Sequence, residues 1–175
     1  MSDETVRSIH RGRVVHLVVE DIVLPNGHAM QIEILKHPGA SAIVALTEND
    51  EVLLIRQYRH AAGGFIVEIP AGKLDGESPQ ACAARELEEE AGVTAESMQL
   101  LGSIVTTPGF CDEVIHLFLA RGLQATTQRL EADEVLTVER VPFEVALVQC
   151  ARGEIRDAKS MCGLFLADLR RRGIA

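Results

Sequence analysis

The stretch GKLDGESPQACAARELEEEAGV, Gly72 to Val93, decides the fold. It carries five glutamates, Glu77, Glu86, Glu88, Glu89 and Glu90, the last three consecutive, and the helix-forming half offers Arg85 as its one cation. Like charges at i,i+4 spacing each cost roughly 0.2–0.5 kcal/mol, so a purely structural helix would interleave lysines. The deficit points to positive charge from outside, in the form of a divalent metal. The plain alternative is a solvated acidic face, which is what most charge runs are.

Local signals bound the helix. Ser78 suits an N-cap, Pro79 the first helical position, and Gly92 a left-handed stop. The spacing predicts a helix over Pro79–Ala91, with Ala83, Ala84, Leu87 and Ala91 as its apolar stripe. Glu86, Glu89 and Glu90 fall off that stripe. Glu86 and Glu90 are one turn apart, so their carboxylates project side by side and suit one hard cation or a pair. Arg85 sits four residues before Glu89 and within reach of Glu77.

Those residues resemble the signature of the Nudix hydrolases, G-x5-E-x7-R-E-U-x-E-E-x-G-U with U a bulky aliphatic. Gly72, Glu77, Arg85, Glu86, Leu87, Glu89, Glu90, Gly92 and Val93 supply every defined position. There is one departure: four residues, not five, separate Gly72 from Glu77. The seven-residue spacing to Arg85 is intact, so the shortening falls on the loop after Ala71–Gly72 and spares the helix.

The rest of the chain fits one folded domain with a small appendage. Of 175 residues, 47% are hydrophobic and 25% charged, the balance of a soluble globular protein. A net charge of −9 argues against nonspecific nucleic-acid binding, and no basic patch with interleaved aromatics occurs. No apolar run reaches the length of a membrane span, and MSDETVRSIHRGR lacks a leader's apolar stretch. Cys82, Cys111, Cys150 and Cys162 form no C-x-x-C pair, which reads as reduced thiols in a cytoplasm.

Alternating β-branched stretches at Arg13–Leu24 and His28–Leu35, joined by Pro25-Asn26-Gly27, predict a hairpin. Further strands are expected at Ser41–Thr47, Val52–Tyr58, Phe65–Ile69, Met98–Thr106, Val114–Ala120 and Val135–Val141. Helices follow from Pro142 to Ala151 and over Asp157–Arg172. Together these predict an α+β chain: an α/β/α sandwich on a mixed sheet, plus an N-terminal antiparallel hairpin. The division expected is a β segment at 1–38 and a hydrolase domain at 39–175.

Within the family, the chain is most similar to the ADP-ribose pyrophosphatases. The marks are HPGA at His37–Ala40, LIRQYR at Leu54–Arg59, EIPAGKLD at Glu68–Asp75, Pro108 fifteen positions beyond Val93, DEV at Asp133–Val135, then GEI and DAK near the end. The resemblance implies hydrolysis of a nucleoside diphosphate linked to another moiety, with Mg²⁺ as the ion and Mn²⁺ as a substitute. It implies Glu86, Glu90 and the Ala71 carbonyl as metal ligands, Glu89 as a second ligand or water holder, and Arg85 with Glu77 as an orienting pair. The general base falls to Glu134, then Glu131, in the acidic loop before the last strand. Arg59 is the phosphate contact expected, Arg56 its alternative, and Gly109 and Phe110 approach the terminal ribose. A homodimer through the N-terminal segment is implied, each copy helping to build the other's site.

One departure concerns the nucleobase. The chain has no Trp, one Tyr, and no aromatic before Tyr58, so adenine would rest on Arg11, Arg13 or His16, or another base is preferred. The readings are therefore ADP-ribose cleaved to AMP and ribose 5-phosphate, another sugar nucleotide such as GDP-mannose or ADP-glucose, or a nucleotide-sensing module without catalysis. Intact glutamates disfavour the last.

Overall fold

The seven residues Ala40–Leu46, ASAIVAL, are all buried and all but Ser41 apolar, and this has a two-sided cause. In a strand, successive side chains face opposite ways. Ala42, Val44 and Leu46 enter one core while Ile43 and Ala45 enter another. A strand covered on both faces has no solvent side to alternate with.

This computed structural model describes residues 6–174; Met1–Thr5, part of the N-terminus without an apolar stretch, and Ala175 lie outside the described residues. The elements in chain order are β1 (Val6–Arg11), β2 (His16–Val23), β3 (Ala29–Lys36), β4 (Ala40–Leu46), β5 (Glu51–Arg59), β6 (Gly64–Glu68), β7 (Ala71–Lys73), α1 (Pro79–Ala91), β8 (Val93–Val105), β9 (Val114–Ala125), β10 (Leu136–Pro142), α2 (Phe143–Ala151) and α3 (Ala158–Arg171). The main sheet runs β10-β5-β4-β9-β8, with β6 paired to β5 and β7 to β4. Its β4–β9 pairing is parallel and its other pairings are antiparallel, which makes the sheet mixed, as expected.

One face of the sheet packs on α1 through Ala83 and Leu87 against Ile43, Leu53 and Phe118. The other packs on α2 and α3 through Phe143, Ala146, Leu164 and Ala167 against Val44, Leu54 and Leu117. Gly163 lets α3 approach closely, since a Cβ there would meet Ile69 at 3.0 Å and Val44 at 3.1 Å. The sheet thus holds α1 and α3 on opposite sides of the strands β5 to β7.

The N-terminal segment has one strand more than the expected hairpin: β1 pairs with β2 to make a three-stranded antiparallel sheet. A register shift between Ser8 and His10 breaks the alternation in VRSIHR, so no period-2 signal marks this strand. All six of its residues are exposed. Two shorter features also lack a pattern: the three-residue β7 and a 3-10 turn at His60–Ala62. The strands β8 and β9 outrun their expected limits because the polar stretch Thr94–Ser97 pairs with Arg121–Gln124.

Leu164 is fully buried between α3 and the sheet. Leu164→Ala is expected to cost about 2–5 kcal/mol of unfolding free energy, measured by urea titration; a loss under about 1 kcal/mol would mean the α3 interface relaxes around the deletion.

Candidate active site

Helix α1 begins and ends where its sequence signals lie. The Ser78 hydroxyl accepts from the Ala81 N–H at 3.3 Å, Pro79 opens the helix, and Gly92 closes it at φ 64°. Its packed stripe leaves Glu86, Glu89 and Glu90 turned toward the edge where β7 arrives. The shortened loop before it closes cleanly. The Glu77 N–H donates to the Leu74 carbonyl at 2.9 Å across Asp75-Gly76, both of which have positive φ. Asp-Gly suits such a tight turn, so four residues span the gap and still deliver Glu77 to the helix.

Arg85 is the hub of the acidic cluster. Its guanidinium bonds Glu77 at 2.6 and 2.8 Å, Glu86 at 2.8 Å and Glu89 at 2.9 Å. One cation therefore serves three carboxylates. Glu90, 1% exposed, receives the Ala71 N–H at 2.8 Å. Glu86 is also buried, with its carboxylate directly over the Gly72 α-carbon. A Cβ on residue 72 would overlap that carboxylate, which is the physical reason for glycine there.

Burial pushes both carboxyls toward their neutral forms. Glu86 is raised by burial, with Arg85 opposing, and the charges of Glu89 and Glu134 raise it further. Glu90 is pushed up to about 8, first by burial, with the Ala71 N–H opposing and Glu86 and Glu134 adding to the rise. Two buried, like-charged carboxyls side by side favour either a proton or a cation between them.

The donor set fits a hard cation. Its side chains are all carboxylates, Glu86 and Glu90 with Glu89 and Glu134 nearby, and Ala71 meets them through its N–H, bonded to Glu90. Among the described residues no three His, Cys, Asp or Glu side chains form a metal cage. Mg²⁺ suits a site of this kind, because it binds through one or two carboxylates and completes its shell with phosphate oxygens and water.

The other expected residues divide clearly. Glu134 acts electrostatically on both Glu86 and Glu90, whereas Glu131 is exposed and gives its backbone N–H to Glu134 at 2.8 Å. The loop bearing them is tied to the end of α1: Gln128 donates to the Glu90 carbonyl at 2.6 Å and Arg129 pairs with Glu88 at 3.3 Å. Glu88 thus tethers this loop. Arg13 reaches it from the N-terminal segment, pairing with Asp133 at 3.0 Å. Arg59 lies against Glu68, and Arg56 turns to the opposite face of β5, 4.5 Å over the Phe65 ring. Gly109 and Phe110 lie in the loop before β9, where the Phe110 carbonyl accepts from the Leu35 N–H at 2.8 Å. Sequence reasoning missed Glu68, Lys159 and Gln128; EIPAG and DAK marked the first two without suggesting a contact.

The pH dependence of stability in metal-free protein follows from Glu90. Its folded-state pKa of about 8 exceeds the ordinary 4.5, so between those values the folded state holds the extra proton. The contribution is fully present below about 4.5 and lost as pH rises through about 8. In EDTA, Tm is expected to fall across that window, the Glu90→Gln variant to fall less, and Mg²⁺ to restore the wild type at the upper end. A parallel slope in the variant would refute the burial account.

With the geometry established, comparison with known proteins gives one family. The NUDIX domain model matches residues 35–164. The chain is 44% identical over 165 residues to the ADP-ribose pyrophosphatase of Bacillus subtilis (strain 168), covering 93% of this chain and 89% of that protein. It is 42% identical over 173 residues to the methanol dehydrogenase activator of Bacillus methanolicus, covering 96% and 94%. A crystal structure of an ADP compounds hydrolase superposes with a TM-score of 0.81 at 23% identity, over 97% of this chain and 94% of that one, a likeness of fold. A sheet clasped by α1 and α3, an acidic helix braced by a single arginine, and a family match across residues 35–164 agree: this chain belongs to the Nudix family of hydrolases.

Proposed function

We propose that the chain is a divalent-metal-dependent pyrophosphatase of nucleoside diphosphate sugars, with ADP-ribose, split to AMP and ribose 5-phosphate, as its leading substrate. The observation that carries this is the buried pair Glu86 and Glu90 beside the Ala71 backbone, with Glu134 close enough to add to their repulsion. The name of the Bacillus subtilis relative supports the substrate.

Glu86, Glu90 and the Ala71 carbonyl would hold Mg²⁺ or Mn²⁺, with Glu89 as supporting ligand. Bound there, the ion neutralises phosphate oxygens and lowers the pKa of a bound water. Glu134 takes the proton of the attacking water as its oxygen bonds phosphorus and the bridging P–O bond breaks. Glu131 holds the loop turn through its backbone, which leaves it the second candidate. Arg85 and Glu77 keep the ligand carboxylates oriented. Arg59 grips the diphosphate; Arg56 is occupied with Phe65. Gly109 and Phe110 meet the terminal ribose.

The protein works as a homodimer formed by residues 1–38, with residues 39–175 carrying the site. Val6, Ile9, Val23 and Met30 are exposed on the small sheet, and Val14 and Val15 in its β1–β2 connection, and three strands with open apolar positions on a water-facing surface favour a covering partner. A second copy is that partner, and the protein acts in the cytoplasm on a small nucleotide. Among the described residues no helix is long and apolar enough to cross a membrane.

Glu90→Gln is expected to remove nearly all turnover of ADP-ribose with Mg²⁺ while the protein still unfolds cooperatively. Glu134→Gln should lower kcat by roughly 10²–10⁴-fold and leave Mn²⁺ affinity near wild type by calorimetry. Near-normal rates in either variant would sink the assignment concerned. A panel including GDP-mannose and ADP-glucose ranks the substrates by product. Light scattering of the full chain and of a chain lacking residues before His37 tests assembly: a dimer that becomes a monomer is expected, and a monomeric full chain would rule out a shared site.

A further inference from the structure

A second buried charge cluster lies at the N-terminus of α3, at the corner of the sheet where β6 ends. Asp157 caps that helix, accepting the Ser160 N–H at 3.0 Å, and the Ser160 hydroxyl accepts the Ile69 N–H at 2.8 Å. Lys159 bridges Asp157 at 2.9 Å and Glu68 at 3.0 Å. The Glu68 side chain is 3% exposed and that of Lys159 11%. Glu68 in turn accepts from Arg59 Nε at 3.2 Å and Nη2 at 2.9 Å. Two anions thus meet two cations, and the four groups come from three segments: the end of β5, the end of β6 and the start of α3.

The orientation of this contact matters. A guanidinium offers two bidentate edges, one through Nε and a terminal nitrogen, the other through both terminal nitrogens. Glu68 occupies the first, which leaves the outer edge of Arg59, whose side chain is 41% exposed, turned from the buried cluster. Arg59 lies six residues beyond Leu53 on β5 and so on the same face, and Leu53 packs against α1, which puts this edge on the side of the sheet that carries the acidic helix. From Glu68 the chain runs through Ile69 and Pro70 to Ala71, whose N–H is fixed to Glu90. One helix end therefore anchors the arginine and the strand that meets the metal ligands.

A buried ion pair is not needed for packing, because apolar residues of similar volume often serve as well or better. Fixing the direction of one arginine is what a carboxylate can do and an apolar side chain cannot. We propose that Glu68 and Lys159 are positioning residues that hold Arg59 with its outer edge presented to the substrate diphosphate. This rests on the assignment of Arg59 as the phosphate contact. Lys159 shares the Glu68 charge. Without it, Glu68 draws on Arg59 alone and turns the outer edge from the site.

The test is steady-state kinetics with ADP-ribose and Mg²⁺ on Arg59→Ala, Glu68→Gln, Lys159→Met, Lys159→Arg and the doubles Glu68→Gln/Arg59→Ala and Lys159→Met/Arg59→Ala, each checked for cooperative thermal unfolding. Arg59→Ala is expected to raise KM by roughly tenfold or more, as loss of a charge-assisted contact would. Glu68→Gln and Lys159→Met should each raise KM roughly three- to tenfold with kcat within about threefold of wild type. Lys159→Arg should recover most of the affinity. In the Arg59→Ala background the second substitution should add nothing. Wild-type KM in folded Glu68→Gln and Lys159→Met, or full additivity with Arg59→Ala, overturns the positioning role. An unchanged KM in Arg59→Ala instead removes the phosphate assignment itself and the proposal with it. Should Glu68→Gln fail to fold, the Lys159 variants and their double decide the matter alone.

Discussion

An excess of carboxylate on one helical edge, with a single arginine to answer it, is the constraint around which this molecule is arranged. Arg85 engages Glu77, Glu86 and Glu89 together, and Glu90 is left with one backbone N–H. A helix under that load would lose stability if its only task were packing. The surroundings accommodate the load instead. Glycine at position 72 lets β7 run under the Glu86 carboxylate, and Gln128 and Arg129 bind the end of α1 to the loop that brings up Glu134. Each of these devices makes sense only if the carboxylates must stay close together, as a shared cation requires.

Legibility in the sequence followed the range over which the physics acts. Helix α1 was readable to the residue because its cap, its first-position proline and its left-handed glycine are local. The strand β4 was readable because two covered faces leave the continuous apolar run Ala42 to Leu46. Strand β1 was not, since its bulge destroys the alternation and no residue of it is buried. The choice between Arg56 and Arg59 needed the strand's period as well as its composition. Three positions apart on β5, they face opposite ways, and only one can share a site with Glu90. The missing loop residue is absorbed by an Asp-Gly turn with two positive φ angles, a solution the dipeptide itself announces.

What stayed hidden were contacts between distant segments. Glu68 and Lys159 are brought together only because β6 and the start of α3 end at the same corner of the sheet. Gln128 reaches the Glu90 carbonyl from a loop with no regular structure. Neither pairing leaves a periodic trace, since each depends on tertiary closure and not on neighbours in the chain. The shared marks EIPAG and DAK, separated by most of the domain, acquire a common physical meaning only through that corner.

The two buried charge clusters differ in how their charge is balanced, and that difference separates their tasks. At the start of α3, Glu68 and Asp157 meet Arg59 and Lys159, two against two, so the cluster is complete as built and suits holding a direction. On α1, the anions outnumber the one cation, so the cluster is incomplete without added positive charge and suits capturing it. The segment from Glu68 to Ala71 joins them, one end in the neutral cluster and the other bonded to Glu90. A rigid, balanced anchor at the corner of the sheet thus sets the position of the unbalanced site beside it. Only two residues, Ile69 and Pro70, separate the strand end that carries Glu68 from the one bonded to Glu90, so a fixed corner leaves the ligand-bearing strand little room to move.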